Sequence, residues 1–506
     1  MFSKVISAAI RGISIELINV ETDISDGLPA FDMVGLLSSE VRESKERVRT
    51  SIKNSGRKIP PKRITVNLSP AAIRKEGGLY DLPIAVGVLM ALQIIKQIFN
   101  MKETLIVGEL GLDGSVHPVC GVLPIILEGK AQGMKNFIVP KANVKEGAII
   151  EGVQVFGVES LEETEKILNG ILWVRPEYKD IKEVYKQTRR EEKQPDFSEI
   201  NGQENLKRAA EIAAAGMHNM LMVGPPGSGK SMLAARISSI LPDPDLDECI
   251  EITKIYSIAG LLGDKSLITK RPFRAPHHTI TEKALIGGGR IIKAGEITLA
   301  HKGVLFLDEF AEFKRDTIEA LRQPVENGTI TISRIQGVCQ FPARFMLVAA
   351  ANPCKCGYYP DRSRCCCSEH EVHKYFSRLN GPIIDRMDLC VGVSSVKAKD
   401  LFLSKKAESS EQIRKRVTAA VQFRKEHRKK KEFQFNSELS VDEIQRCCVL
   451  GEKEQKLLFQ ALETFQISAR GYYKIIRVAR TIADLEESEC IREEHISEAL
   501  GFRMIV

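Results

Sequence analysis

Residues Gly224 to Ser231 read Gly-Pro-Pro-Gly-Ser-Gly-Lys-Ser, a complete phosphate-binding loop. The apolar stretch Met220 to Val223 reads as the strand feeding it, and Met232 to Leu241 as the helix leaving it. Strand, glycine turn and helix N-terminus together aim backbone N–H groups and a helix dipole at a triphosphate. In that frame Gly224, Pro225, Pro226, Gly227, Ser228 and Gly229 shape the cradle. Lys230 reaches the β- and γ-phosphates as a point charge, and Ser231 holds Mg²⁺ through its hydroxyl. ATP and Mg²⁺ are therefore the expected ligands.

A second half of the site follows at Gly303 to Phe310, Gly-Val-Leu-Phe-Leu-Asp-Glu-Phe. Four apolar residues in a row fit a strand buried on both faces, as in a parallel sheet. Asp308 at its end is placed to bind Mg²⁺ through water, and Glu309 to polarise the attacking water as general base. Standing alone, this would read as an acidic strand end facing solvent. The complete phosphate loop upstream favours the catalytic reading.

The chain's 506 residues suffice for two or three domains. The longest apolar run, Leu82 to Leu92, is too short and too interrupted by Gly and Pro to span a bilayer. The N-terminus lacks a signal-peptide pattern, so a cytoplasmic chain without membrane contact is expected. Twelve cysteines then argue for reduced thiols or metal ligands, not a disulfide framework. A net charge of +7 permits a polyanionic partner without demonstrating one.

Three blocks separate by pattern. Residues 1–172 mix short β-like runs (Ile13 to Val20, Arg63 to Leu68, Thr104 to Gly108, Asn136 to Val139) with helical stretches at Val41 to Ser55 and Asp81 to Lys96. The charge-rich residues 173–195 read as a linker. Residues 196–395 form the α/β nucleotide-binding block, with a parallel sheet. Residues 396–506 read as an all-helical lid, in which Ser440 and Glu443 form a capping box. Lys230 and Asp308 are too far apart for one β-α-β step. The glycine-rich residues 255–300, with Arg271-Pro-Phe-Arg-Ala-Pro-His-His-Thr279, are therefore read as an insertion in the helix between the two nucleotide strands.

The phosphate loop, Arg271 to Thr279, Leu305 to Phe310, Ala349-Ala-Ala-Asn-Pro-Cys354 and Gly381-Pro-Ile-Ile-Asp-Arg-Met-Asp-Leu389 occur in that order. In this combination the chain resembles the YifB/ComM family of magnesium-chelatase-like AAA+ ATPases, over nearly its whole length. The resemblance implies that Asn352 is the sensor amide orienting the attacking water. It implies that Arg386 is an arginine finger delivered across a subunit boundary, with Arg378 as second candidate, and that Arg470 is the lid sensor. Helical spacing puts Arg470, Lys474 and Arg477 on one face, expected to lie over the nucleotide, and Ile475, Ala479 and Ile482 on the opposite one. A solvated helix face is the alternative.

Residues 104–142 are similar to the peptidase domain of Lon proteases, a fold shared with a ribosomal S5 domain. The position matching the catalytic lysine falls at Leu123, and that matching the serine at or near Leu79. Leucine is neither nucleophile nor base. The α+β block 1–172 is therefore expected to be non-proteolytic and to serve assembly or interaction.

Two close thiol pairs, Cys354 with Cys356 and Cys365 with Cys367, flank a Tyr/Pro/Asp loop and are a candidate tetrahedral Zn²⁺ set. His370 and His373 are possible substitutes. The competing reading is a set of reduced loop thiols.

The resemblance further implies a ring-forming DNA motor, a hexamer of this chain, acting on single-stranded or branched DNA as a helicase or branch-migration factor. Gly287-Gly-Gly-Arg290-Ile-Ile-Lys293 could place Arg290 and Lys293 in a pore. Thr329 to Pro342 alternates around a Gly turn as a hairpin with Arg334 near its tip, and Arg424 to Lys431 adds a basic run. The alternatives are a magnesium-chelatase-like protein remodeller and an ATP-switched scaffold; an intact Glu309 argues against the scaffold.

Overall fold

The computed structural model describes residues 1–96, 99–191, 195–289, 292–334, 337–379, 383–394, 408–428 and 435–503. It divides into two compact units, residues 1–191 with 246–269, and residues 192–245 with 270–506.

The first unit is built on a seven-stranded mixed sheet. Its strands are β1 (Phe2–Arg11), β2 (Ser14–Ser25), β3 (Ala30–Val34), β4 (Arg63–Ser69), β5 (Thr104–Ile106), β6 (Asn136–Pro140) and β7 (Gln154–Val158), in the spatial order β3-β4-β2-β1-β5-β6-β7. The pairs β1/β2 and β2/β4 are antiparallel; the others are parallel. The helix Asp81–Ala91 is buried along its full length. Its Asp81 is fully buried and meets the Arg47 guanidinium through two hydrogen bonds, at 2.7 and 3.1 Å. Such a carboxylate needs its counter-charge, because burial strips it of water. Leu79 and Leu123 lie in this unit's apolar core.

Two features differ from the sequence reading. Ile181–Glu191, inside the stretch read as a linker, form a helix. Residues 246–269 belong to this first unit: Cys249 and Leu267 are fully buried in its core, and Ser257 donates to Glu146 at 2.7 Å.

The second unit holds a five-stranded, all-parallel sheet: β8 (Met220–Val223), β9 (Phe273–Arg274), β10 (Val304–Leu307), β11 (Met346–Ala351) and β12 (Leu389–Gly392), ordered β9-β10-β11-β8-β12. Every residue of β8, β10 and β11 is buried, as expected for strands covered on both faces. The Arg271 to Thr279 stretch, read as part of an insertion, contributes to the sheet itself. Its Phe273–Arg274 forms the edge strand beside β10. Arg271 donates to the carbonyls of Pro242 and Lys302, and Arg274 grips Glu296 at 2.6 and 2.7 Å.

The described C-terminal residues are largely helical: Ser410–His427, Val441–Cys447, Glu452–Phe465, Ala469–Leu485 and Glu493–Gly501. The capping box of Ser440 with Glu443 is present. Among the described residues no helix is long and apolar enough to cross a membrane.

Candidate nucleotide site

Parallel strands present all their C-terminal ends on one edge, where ligands of such sheets bind. Gly224 follows β8, Asp308 follows β10 and Asn352 follows β11, so these three functional segments emerge together. The helix Lys230–Ile240 starts directly from the loop. Gly227 and Gly229 hold φ of +73° and +87°, left-handed values that turn the backbone amides inward.

Lys230 Nζ donates to the loop carbonyls of Gly224 and Pro225, at 2.7 and 2.8 Å, and lies 3.4 Å from Asn352 Oδ1. Burial lowers its pKa, partly countered by Asp308. A triphosphate delivered here would supply the charge that burial withholds from the ammonium. The Ser231 hydroxyl donates to Asp308 Oδ2 at 2.6 Å, joining the two oxygen groups that would hold Mg²⁺. The residues fit both ligands.

Glu309 adopts a left-handed backbone, φ +49°, unusual for a residue with a side chain and typical of strained functional positions. Its Oε2 lies 3.1 Å from His278 Nδ1, and His278 stacks against His277 at 4.1 Å between ring centroids. His278 was assigned no role from the sequence. Its stretch stood out as a motif, but only the pairing of β9 with β10 brings it to the general-base position.

The opposite edge of the same sheet carries a second constellation. Asn219, Lys302, Phe345 and Asp388 lie just before the four longer strands and help line a cavity of about 550 Å³. Arg386, Arg470, Lys474, Arg477, Arg344 and Glu326 also line it. Arg386 pairs with Glu326 Oε1 at 2.6 Å, and Arg470 meets the same oxygen at 3.1 Å. Lys474 pairs with buried Asp388 at 2.9 Å. Burial by itself would raise the Asp388 carboxyl, but Lys474 and His218 outweigh it and hold the group below the usual carboxylate range.

This corrects one expectation. Arg470, Lys474 and Arg477 do share a helix face, yet that face does not cover the chain's own phosphate loop. It joins Arg386 at the far edge, separated from Gly224 by the length of β8, roughly 13 Å at 3.3 Å per residue. Lys474 is also buried in its ion pair rather than displayed to a ligand.

The thiols converge. Cys354, Cys356, Cys365 and Cys367 bring their sulfurs within 4.8 Å of one another. Cys354 Sγ lies 3.3 Å from Cys356 Sγ and 3.8 Å from Cys365 Sγ, and the Cys356–Cys365 separation is 3.6 Å. His370 and His373 sit exposed on the helix Glu369–Leu379, and neither belongs to the cluster.

The proposed DNA contacts fare unevenly. Gly287–Gly288 pair with Lys293–Ala294 as a short hairpin, and Lys293 is exposed; Arg290 lies outside the described residues. Thr329–Arg334 pairs antiparallel with Gly337–Pro342, the expected hairpin, with Arg334 at its end. Arg378 lies on the helix Glu369–Leu379. Arg424 does not face solvent: it is buried, 3.7 Å from Asp484, and Arg428 approaches the same carboxylate at 3.9 Å. A buried carboxylate claims these two cations of the run. Lys429 to Lys431 lie outside the described residues.

Residues 196–401 match the family described as magnesium chelatase, subunit ChlI; residues 20–143 match subunit ChlI of Mg-chelatase; residues 407–503 match the ChlI C-terminal family. The chain is 39% identical to "Competence protein ComM" of Haemophilus influenzae over 506 residues, covering 99% of this chain and 97% of that one. It is 40% identical to "Uncharacterized protein YifB" of Escherichia coli over 508 residues, covering 99% and 97%. It is 25% identical to the magnesium-chelatase 38 kDa subunit of Cereibacter sphaeroides over 175 residues, covering 31% of this chain and 52% of that one.

Proposed function

The chain belongs to the YifB/ComM family of magnesium-chelatase-like AAA+ ATPases, and from that premise we propose that it is an ATP-driven motor of ring-forming subunits, a hexamer, acting on single-stranded or branched DNA as a helicase or branch-migration factor. The observation that carries the motor reading is the division of the site. The loop, Asp308, Glu309 and Asn352 stand at one edge of the sheet, and Arg386 with Arg470 stands at the other. Neither half is complete in one protomer. Adjacent subunits would complete it, each offering its basic edge to its neighbour's nucleotide.

In this reading Lys230 leaves the loop carbonyls for the β- and γ-phosphates, and Ser231 with Asp308 holds Mg²⁺. When bound there, the ion would neutralise negative charge on the phosphates. Asn352 orients the attacking water, and Glu309 takes its proton once released from His278. The neighbour's Arg386 neutralises the charge that grows on the transferring phosphoryl group, and the neighbour's Arg470 senses the γ-phosphate; both are drawn off Glu326.

The first unit, including residues 1–172, we take as a non-proteolytic interaction module of Lon-like or S5-like type. Leucine at 79 and 123 offers neither a nucleophile nor a base, and both side chains are spent on the apolar core, at 6% and 1% exposure. The cytoplasm, which supplies ATP and keeps thiols reduced, is its proposed place of work. The four cysteines we assign to Zn²⁺. A tetrahedral Zn–S distance of about 2.3 Å sets sulfur–sulfur edges of about 3.8 Å; Cys354, Cys356 and Cys365 stand 3.3 to 3.8 Å apart, and Cys367 completes a set within 4.8 Å.

The DNA reading is tested by measuring ATP turnover with forked, single-stranded and duplex DNA at several salt concentrations. Forked or single-stranded DNA should raise turnover, and binding should weaken steeply with salt as counterions are released. If no DNA form changes the rate, the magnesium-chelatase-like protein remodeller becomes the better description.

A further inference from the structure

The four-thiol cluster is not an isolated appendage. β11 ends at Ala351, the next residue is Asn352, and Pro353 leads directly into Cys354. A single residue, Pro353, therefore separates the proposed sensor amide from the first metal ligand. From there the chain turns through Gly357, at φ +86°, and its backbone comes to rest on the phosphate loop. A side chain at Gly357 would put its Cβ 2.7 Å from Pro226 Cδ, and 3.9 Å from Asn352 Cγ. Asn352 Oδ1 in turn lies 3.4 Å from Lys230 Nζ.

Backbone turns hold part of the loop: the Arg364 and Cys365 N–H groups donate to the Asp361 carbonyl, and Arg362 donates to the Cys367 carbonyl. Its own core consists of Cys354, Cys365, Cys367 and Val372, with Cys356, Tyr358 and Tyr359 packed against them. The Tyr359 N–H donates to Cys354 Sγ at 3.4 Å, and Arg362 and Arg364 lie over the rings of Tyr359 and Tyr358. Without a cation the four sulfurs of this miniature core meet only through weak thiol contacts. With Zn²⁺ it becomes a rigid knuckle.

We infer that the zinc knuckle is a positioning element for ATP hydrolysis: by fixing the chain between Asn352 and Gly357, it holds the sensor amide and the Pro226 side of the phosphate loop in register. This rests on assigning Zn²⁺ to the four cysteines. Metal loss or thiol oxidation would then slow turnover without emptying the nucleotide site, because Lys230, Ser231 and the loop amides lie on other segments. A catalytic group displaced by about 1 Å loses roughly 10²-fold in rate, and that is the expected loss in kcat.

The test compares three preparations of the full chain, purified without chelator: unaltered protein, Cys356→Ser/Cys365→Ser, and Gly357→Ala. Metal analysis of the unaltered protein should give about one zinc per chain, and Co²⁺ exchange should give thiolate-to-metal absorption bands. The double variant should lack metal, retain binding of a fluorescent ATP analogue, and lose roughly 10²-fold in kcat. Gly357→Ala should retain the metal and its bands yet lose kcat, because its new methyl group pushes on Pro226. Absence of zinc and of cobalt bands in the unaltered protein overturns the site and the coupling together. Full zinc, with normal kcat in the metal-free variant, overturns the coupling and leaves the site standing. If the double variant does not fold, Gly357→Ala decides: metal retained with unchanged kcat overturns the proposal.

Discussion

The two edges of the core sheet are made from the same strands yet solve opposite problems. At the C-terminal edge, short loops leave β8, β10 and β11 with backbone amides, one buried lysine and two acids. That edge is built to surround a ligand. At the N-terminal edge, Arg386 and Arg470, from two distant segments, converge on one carboxylate, Glu326. There the charge is satisfied within the chain, by Glu326. In the proposed ring, the contrast would divide the nucleotide site so that binding belongs to the chain and turnover to the assembly.

The sharpest attempt to break this division is Arg386→Ala. Hydrolysis should fall by roughly 10³–10⁵-fold while nucleotide affinity persists. Mixing with Lys230→Ala protomers, which should not bind ATP, should restore activity where an intact finger faces an intact loop. Normal turnover by Arg386→Ala alone would mean that the far edge is not catalytic. Next in size, Glu309→Gln should slow hydrolysis by roughly 10²–10⁴-fold and trap bound ATP, measured by single-turnover assay and nucleotide retention. If Glu309→Gln releases ATP as fast as it turns over in the parent, the base lies elsewhere. Arg470→Ala should cost roughly 10²–10³-fold in kcat, the loss of one donor to a developing anion, with the same rescue in mixed assemblies. Rescue of Arg386→Ala but not of Arg470→Ala would place the two arginines in different sites. A control outside both edges is Arg47→Ala, which strands buried Asp81. It should destabilise the first unit by about 3–5 kcal/mol in denaturant titrations while leaving the ATP affinity of the second unit unchanged.

What the sequence made legible follows the same divide. The binding edge is local: a strand, a turn and a helix start are contiguous, so Gly224 to Ser231 could be read directly, and Asp308 and Asn352 each stand at the end of an apolar run. The reaching edge is not local. The identity of Arg470 could be read from its motif, but its position depends on how the lid packs, and no periodicity reveals which end of a sheet a helix will face. His278 escaped for a related reason. A two-residue edge strand, Phe273–Arg274, carries it to Glu309, and two residues give no alternation to recognise. Arg424 looked like part of a basic surface because its counter-ion, Asp484, is sixty positions away in the chain. The cysteines were legible as a set because ligand chemistry restricts which spacings can close on one ion.

The return of residues 246–269 to the first unit has a practical consequence. A fragment stopped at residue 191 would lack Cys249 and Leu267, and the Ser257 hydroxyl that meets Glu146, so it would carry an open gap where its interior should be. Neither half of this molecule can be excised by cutting at one place. End-to-end fusion of two self-contained domains would leave each on one continuous segment; here the first unit is drawn from two.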